Sequence, residues 1–264
     1  MYNFNYHRPS TLADAAKTVQ SADEGKLVAG GMTLIPTLKQ RLAKPSDLVD
    51  LAKIAELKGI KRDGSTIVIG AMTKHVEVAT SDVVRGAIPG LADLASHIGD
   101  PAVRNRGTIG GSIANNDPAA DYPSAVVALN ATVITNKRKI GADDFFKGMF
   151  ETALEPGEII TAVQFPIPEK SAYMKFPNPA SRYAIVGVFV AKTASGTRVG
   201  VTGAGPSVFR QKEMEAALAK SFTPEAVANI KVSASGLNGD IHASPEYRAH
   251  LVTVMAKRAV AAAK

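Results

Sequence analysis

Gly30-Gly31-Met32-Thr33 and Thr108-Ile109-Gly110-Gly111-Ser112 are the stretches of this chain whose residue types and spacing suit the holding of a phosphate. Each is a glycine pair that leads from a hydrophobic segment into hydroxyl-bearing residues. Glycine has no Cβ to keep a ligand oxygen at a distance, and it reaches positive φ without strain. Ahead of the first pair, Leu27, Val28 and Ala29 read as a strand; behind it, Leu34, Ile35, Leu38 and Leu42 recur at helical spacing. The first loop is therefore expected to run into a helix N-terminus, where free N–H groups and the dipole favour an anion. Two such loops suit a pyrophosphate better than a single phosphate. Neither is a P-loop, because no Gly-Lys-Ser/Thr follows, and neither has the G-x-G-x-x-G spacing of a Rossmann crossover. A lone glycine pair after a strand is more often a plain tight turn, so the surrounding residues must decide.

Between Asp100 and Pro123 lies the run Arg104-Asn105-Arg106-Gly107-Thr108-Ile109-Gly110-Gly111-Ser112-Ile113-Ala114-Asn115-Asn116-Asp117-Pro118-Ala119-Ala120-Asp121. It closely resembles the second FAD-binding segment of the flavoprotein subunits of molybdenum hydroxylases, the family of the carbon monoxide dehydrogenase medium subunit and the xanthine dehydrogenase FAD domain. Val28-Ala29-Gly30-Gly31-Met32-Thr33-Leu34-Ile35-Pro36 resembles the family's first segment, and Ala243 to Leu251 is similar to the last helix of its C-terminal domain. The likeness spans essentially the whole chain. It implies an α+β protein: an FAD-binding fold of the vanillyl-alcohol oxidase (PCMH) type in two subdomains, then a C-terminal domain like that of the carbon monoxide dehydrogenase flavoprotein.

The resemblance also assigns roles. The main chain of Ala29, Gly30, Gly31, Met32 and Thr33, with Leu34 beyond, and of Thr108, Ile109, Gly110, Gly111 and Ser112 is implied to hold the FAD pyrophosphate. Asn115 and Asp117 belong to the same segment, and Asp121 is implied to lie against the ribityl and flavin region. Tyr183 matches an aromatic position that covers one face of the isoalloxazine in some relatives. Other readings stay open: Asp121 as N-cap of a helix beginning near Tyr122-Pro123, and Tyr183 as a sheet tyrosine in the apolar run Ala184 to Ala191. Met32 departs from the family, which often carries a small polar residue or histidine there.

As a function, the likeness implies an electron-transfer subunit. Electrons from a molybdenum cofactor on a large partner subunit cross two 2Fe-2S clusters on a small partner subunit, reach FAD on this chain and leave to an external acceptor. A dimer of heterotrimers is the implied assembly. The alternative is a stand-alone FAD-dependent oxidase or dehydrogenase of the vanillyl-alcohol oxidase type. No acid–base or nucleophile constellation stands out, as expected where a flavin carries the chemistry.

Composition sets bounds around these readings. The chain has 264 residues, 45% hydrophobic and 21% charged, enough for one substantial core or two modest ones. There is no cysteine, which removes disulfides, thiolate zinc sites and any iron–sulfur cluster held by this chain. His7, His75, His97, His242 and His250 lack metal-ligand spacing and read as surface or helix residues, and none is expected to adjoin either binding loop. No segment is long and apolar enough to span a bilayer, and the N-terminus lacks the basic and apolar regions of a signal peptide; a cytoplasmic location is expected. A net charge of +7 raises nucleic acid as a partner, but aromatic residues are not interleaved with the basic clusters, so no nucleic-acid partner is expected. Arg104 and Arg106, just before the second loop, either offset phosphate charge or brace the turn.

Element patterns suggest three parts: an FAD-binding subdomain over 1–56, a second over 57–166, and a C-terminal α+β domain over 167–264, entered through Phe165-Pro166-Ile167-Pro168. The first opens with a helix near Thr11 to Val19 capped by Ser10. The second holds a strand at Ser65 to Gly70, helices at Leu91 to Ile98 and Tyr122 to Leu129, and a strand at Ala131 to Thr135. In the third, strands at Ala172 to Phe176, Tyr183 to Ala191 and Arg198 to Gly203 precede helices at Lys212 to Leu218, Pro224 to Ile230 and Pro245 to Ala263. Strands followed by helices indicate α+β.

Overall fold

The computed structural model describes residues 1–264. Its first part runs β1 (Asn5–His7), α1 (Leu12–Ser21), β2 (Gly25–Val28), α2 (Leu34–Lys39) and β3 (Asp47–Asp50), with the strands parallel in the order β1-β3-β2. Thr11, not Ser10, caps α1: its Oγ1 accepts from the Asp14 N–H at 3.1 Å. Helix α2 ends before Leu42, because Arg41 turns the chain through a left-handed conformation (φ 60°) and leaves Leu42 73% exposed.

The second part contains β4 (Ile60–Asp63), β5 (Thr66–Gly70), α3 (His75–Thr80), α4 (Asp82–Ala87), α5 (Pro89–Ser96), α6 (Pro101–Arg104), α7 (Ile109–Asn115) and α8 (Tyr122–Ala128). It continues through β6 (Thr132–Thr135), β7 (Lys139–Gly141), α9 (Ala142–Phe145), the hairpin β8 (Phe146–Gly148) and β9 (Glu151–Thr152), and β10 (Ile160–Pro166). The five-stranded sheet has the order β4-β5-β10-β6-β7, so the last strand in sequence lies in its middle, antiparallel to both β5 and β6. Ile67, Ile69, Val133, Val163 and Phe165 of these strands share one core with the helices packed on them.

The third part is an antiparallel meander of β11 (Lys170–Pro177), β12 (Ala184–Thr193), β13 (Gly196–Thr202) and β14 (Phe209–Arg210), followed by α10 (Lys212–Lys220), α11 (Pro224–Ala228) and α12 (Pro245–Ala262). Strand β12 is apolar on both faces because both are covered. Val186, Val188 and Val190 join the core under α10 and α12, whereas Phe189 and Ala191, with Tyr173, join the core of the second part. Helix α8 packs on β12 and β13 of the C-terminal sheet while joining the core of the second part, and every one of its residues is buried. β13 approaches it so closely at Gly200 that a Cβ there would run into the Ser124 carbonyl oxygen. No helix is long and apolar enough to cross a membrane.

Candidate functional site

A cleft of about 770 Å³ opens between the three-stranded sheet, the loops before α6 and α7, and the turn that leads into β12. Both glycine loops, Asn115, Asp117, Asp121 and Tyr183 line it. Ile109 does not, because its side chain is fully buried in the core.

Five successive main-chain N–H groups of the first loop, those of residues 30–34, donate to no protein acceptor, and the loop's first committed amide is that of Ile35, bonded to the Gly31 carbonyl at 3.0 Å. Gly31 has φ 74°, which permits this arrangement. Unsatisfied donors at a helix start are what an anion needs.

The second loop is different. Ile109 N donates to Thr73 O at 3.1 Å, Gly110 N to Ala71 O at 2.8 Å, Gly111 N to Thr108 Oγ1 at 3.2 Å and Ser112 N to Thr108 O at 3.0 Å. Its amides are thus bound into the end of β5 and the first turn of α7, and what it offers the cleft is bare glycine backbone with the Thr108 and Ser112 hydroxyls. The glycines also serve the protein's own packing. A Cβ on Gly30 would strike the Arg106 carbonyl, one on Gly110 would lie 2.6 Å from Ala71 Cβ, and one on Gly111 would meet Ala29 Cβ at 3.3 Å. The two loops touch each other and form one floor.

His75 corrects the expectation that no histidine adjoins a loop. It begins α3, its N–H donates to Gly107 O at 3.0 Å, and its imidazole stands where a Cβ on Gly107 would be. Only 4% exposed, it still lines the cleft, and its Nδ1 has no partner. Burial, helped by the Arg104 charge, lowers its pKa to about 4, so the ring is neutral at physiological pH. No local sequence signal marks it, since 35 positions or more separate it from either glycine pair. Arg104 braces the turn through bonds to the Ile98 and Gly99 carbonyls, both 3.0 Å, and neither Arg104 nor Arg106 lines the cleft.

At the far end, Asp121 occupies the N-cap position of α8 yet its side chain makes no capping bond. Its carboxylate instead accepts from Tyr173 Oη at 2.5 Å and from Lys175 Nζ at 3.0 and 3.1 Å, which corrects the capping alternative. Asp117 Oδ1 accepts from the Ala119 N–H at 2.8 Å and fixes the turn between α7 and α8. Thr202 and Gly203 hold the same turn from the other side through the Pro118 and Ala120 carbonyls. Tyr183 lies just before β12, 47% exposed on the cleft wall rather than packed in the sheet. Phe150 and Arg182, which sequence reading did not single out, complete the rim, both in left-handed conformations (φ 57° and 63°). Backbone strain of this kind gathers where surrounding structure enforces it for a site.

A bare-glycine floor with free amides at one end, and an aromatic wall beside a buried carboxylate at the other, define a dinucleotide-holding protein of non-Rossmann architecture. Comparison with known proteins names the class. Residues 2–168 match the FAD binding domain in molybdopterin dehydrogenase, and residues 171–263 match the CO dehydrogenase flavoprotein C-terminal domain. The carbon monoxide dehydrogenase medium chain of Hydrogenophaga pseudoflava is 35% identical over 98% of this chain and 96% of its own length. The glyceraldehyde dehydrogenase medium chain of Sulfolobus acidocaldarius is 35% identical, covering 97% and 96%. The solved carbon monoxide dehydrogenase of Hydrogenophaga pseudoflava superimposes with a TM-score of 0.91 at 35% identity, over 98% of this chain and 96% of that one. The chain belongs to the FAD-binding medium-subunit family of the molybdenum hydroxylases, and FAD is its cofactor.

Proposed function

We propose that this chain is the flavin-bearing electron-transfer subunit of a molybdenum hydroxylase, with the FAD pyrophosphate on the first loop and the flavin at the Asp121–Tyr183 end of the cleft. The observation that carries the reading is the row of unpartnered amides over residues 30–34 facing a second bare-glycine loop, a cradle that a dianionic pyrophosphate satisfies. The Thr108 and Ser112 hydroxyls and the neutral His75 imidazole add polar partners along the same wall, and the Tyr183 ring offers a flat face to the flavin. Bound FAD supplies the redox chemistry, taking electrons from a donor and passing them to an acceptor. The protein's part is to bind, orient and shield.

The chain has no cysteine, so iron–sulfur clusters that feed the flavin sit on a small partner subunit and the molybdenum cofactor on a large one. A dimer of heterotrimers is the assembly we assign, and we divide the chain itself into two FAD-binding subdomains, 1–56 and 57–166, and a C-terminal α+β domain, 167–264. The test is anaerobic flavin bleaching by aldehydes, purines, N-heterocycles and carbon monoxide, with and without the co-expressed neighbouring subunits. Bleaching only in the complex is the expected result. Rapid bleaching of the lone, FAD-loaded chain by one of these substrates would instead make it a stand-alone oxidoreductase.

A further inference from the structure

Two side chains of β11 reach out of the C-terminal sheet into the FAD cleft's end wall. Tyr173 and Lys175 are two residues apart on one strand and so point to the same face. They meet on one carboxylate, that of Asp121: Tyr173 Oη at 2.5 Å and Lys175 Nζ at 3.0 Å from Oδ1 and 3.1 Å from Oδ2. The ammonium also donates to the His97 carbonyl at 3.1 Å. Side-chain exposure is 5% for Lys175 and 6% for Asp121. A buried lysine is costly unless something requires its charge. Asp121 is the only one of the three that lines the cleft.

We infer that Lys175 is a positioning residue for the flavin: the C-terminal domain supplies a buried cation that holds Asp121 ionised and aimed, so that the cleft meets the ring system with a neutralised ion pair. The inference rests on the assignment of the cleft to FAD. Both carboxylate oxygens accept from donors, Oδ1 from Tyr173 and Lys175 and Oδ2 from Lys175. Burial pushes the Asp121 carboxyl up from its ordinary value, while the Lys175 ammonium and the two hydrogen bonds act against that push. The other charged and titratable groups about the pair are Asp93 and His97 from α5 and its end, Tyr122 at the start of α8, and Tyr183, itself near Asp117. Removing the carboxylate alone leaves an unbalanced cation beside the flavin, which favours its reduced, more electron-rich state; removing both partners restores neutrality.

Full-length chain loaded with FAD is titrated for its flavin midpoint potential in four forms: wild type, Lys175→Arg, Asp121→Asn, and Asp121→Asn combined with Lys175→Met. Lys175→Arg is expected at the wild-type potential. Asp121→Asn is expected to favour reduced over oxidised flavin at least tenfold more than wild type does, an upward shift of about 30 mV for a two-electron couple. The double variant is expected to return toward wild type. Equal potentials for Asp121→Asn and the double variant overturn the inference, as do wild-type potentials throughout with lowered thermal midpoints, which make the cluster a strut between domains. A wild-type chain that takes up no FAD removes the assignment beneath, and the inference with it.

Discussion

Gly30 is where the two loops meet, and there an added methyl group would have to displace main chain, since its nearest neighbours are the Arg106 carbonyl and Gly107 Cα. Gly30→Ala is therefore expected to part the loops and to lower bound FAD several-fold while leaving the distant cores intact; flavin absorbance per chain after denaturation measures it, and full stoichiometry would remove the two-loop cradle. Gly110→Val acts otherwise than its place in the motif suggests, because its side chain would enter the packing around Ala71 instead of the ligand space. The glycine pairs themselves were legible in the sequence; the reason for each glycine was not, since a close approach between residues some 75 positions apart leaves no local trace. His75 was illegible for the same reason. Its pKa falls from 6.5 to about 4 in the folded chain. Between those values the unfolded state binds the extra proton and the folded state does not, so stability is whole above pH 6.5 and is lost as pH falls toward 4. The loss approaches about 3 kcal/mol once pH reaches the folded value. Urea midpoints of wild type and His75→Leu between pH 7 and pH 4.5 test this: the wild-type curve is expected to fall more steeply with acid, and parallel curves would mean His75 titrates normally.

The elements that carry the cleft were read well where one strand or helix dictates its own pattern. The apolar run of β12, the proline-started α12 with its Ser244 cap, and α8 all fall within about two residues of their expected bounds. Elements defined by a distant partner escaped: β10 pairs with β5 and β6 across the middle of the sheet, and the small β8–β9 hairpin has little apolar pattern of its own. That hairpin is held by Asn116, which sits in a left-handed conformation (φ 43°) at the end of α7. Asn116 Nδ2 donates to the Gly148 and Glu151 carbonyls at 2.7 and 2.8 Å, and its carbonyl accepts from the Phe150 N–H at 3.1 Å. Asparagine tolerates this backbone better than other residues with a Cβ. Asn116→Ala loses both side-chain bonds and that tolerance, an expected cost of about 2–3 kcal/mol, with the hairpin that presents Phe150 to the cleft loosened first. Hydrogen exchange at the Phe150 amide is expected to quicken well beyond that of β12; unchanged protection there would place the hairpin's anchor elsewhere.

Across the whole molecule, the two family matches meet between residues 168 and 171, as though the chain could be divided there. Its packing argues against a clean division. Tyr173, Phe189 and Ala191 of the C-terminal sheet belong to the core of the preceding part, and α8 is covered by β12 and β13. Thr202 and Gly203 hold the Asp117–Asp121 turn, and Tyr183 and the partners of Asp121 also come from beyond residue 168. A fragment of residues 1–168 would thus uncover the apolar flank of α8, leave Asp121 without its cation and open one wall of the cleft. Exposed apolar surface of that kind drives association. The fragment is expected to aggregate or to hold FAD at least tenfold more weakly than the full chain, whereas the full chain is expected to unfold in one thermal transition that FAD raises as a unit. Calorimetry of the full chain with and without FAD, together with flavin retention by the fragment, checks both. Two separate transitions, or a monomeric fragment with full affinity, would make the cleft a property of the first two parts alone.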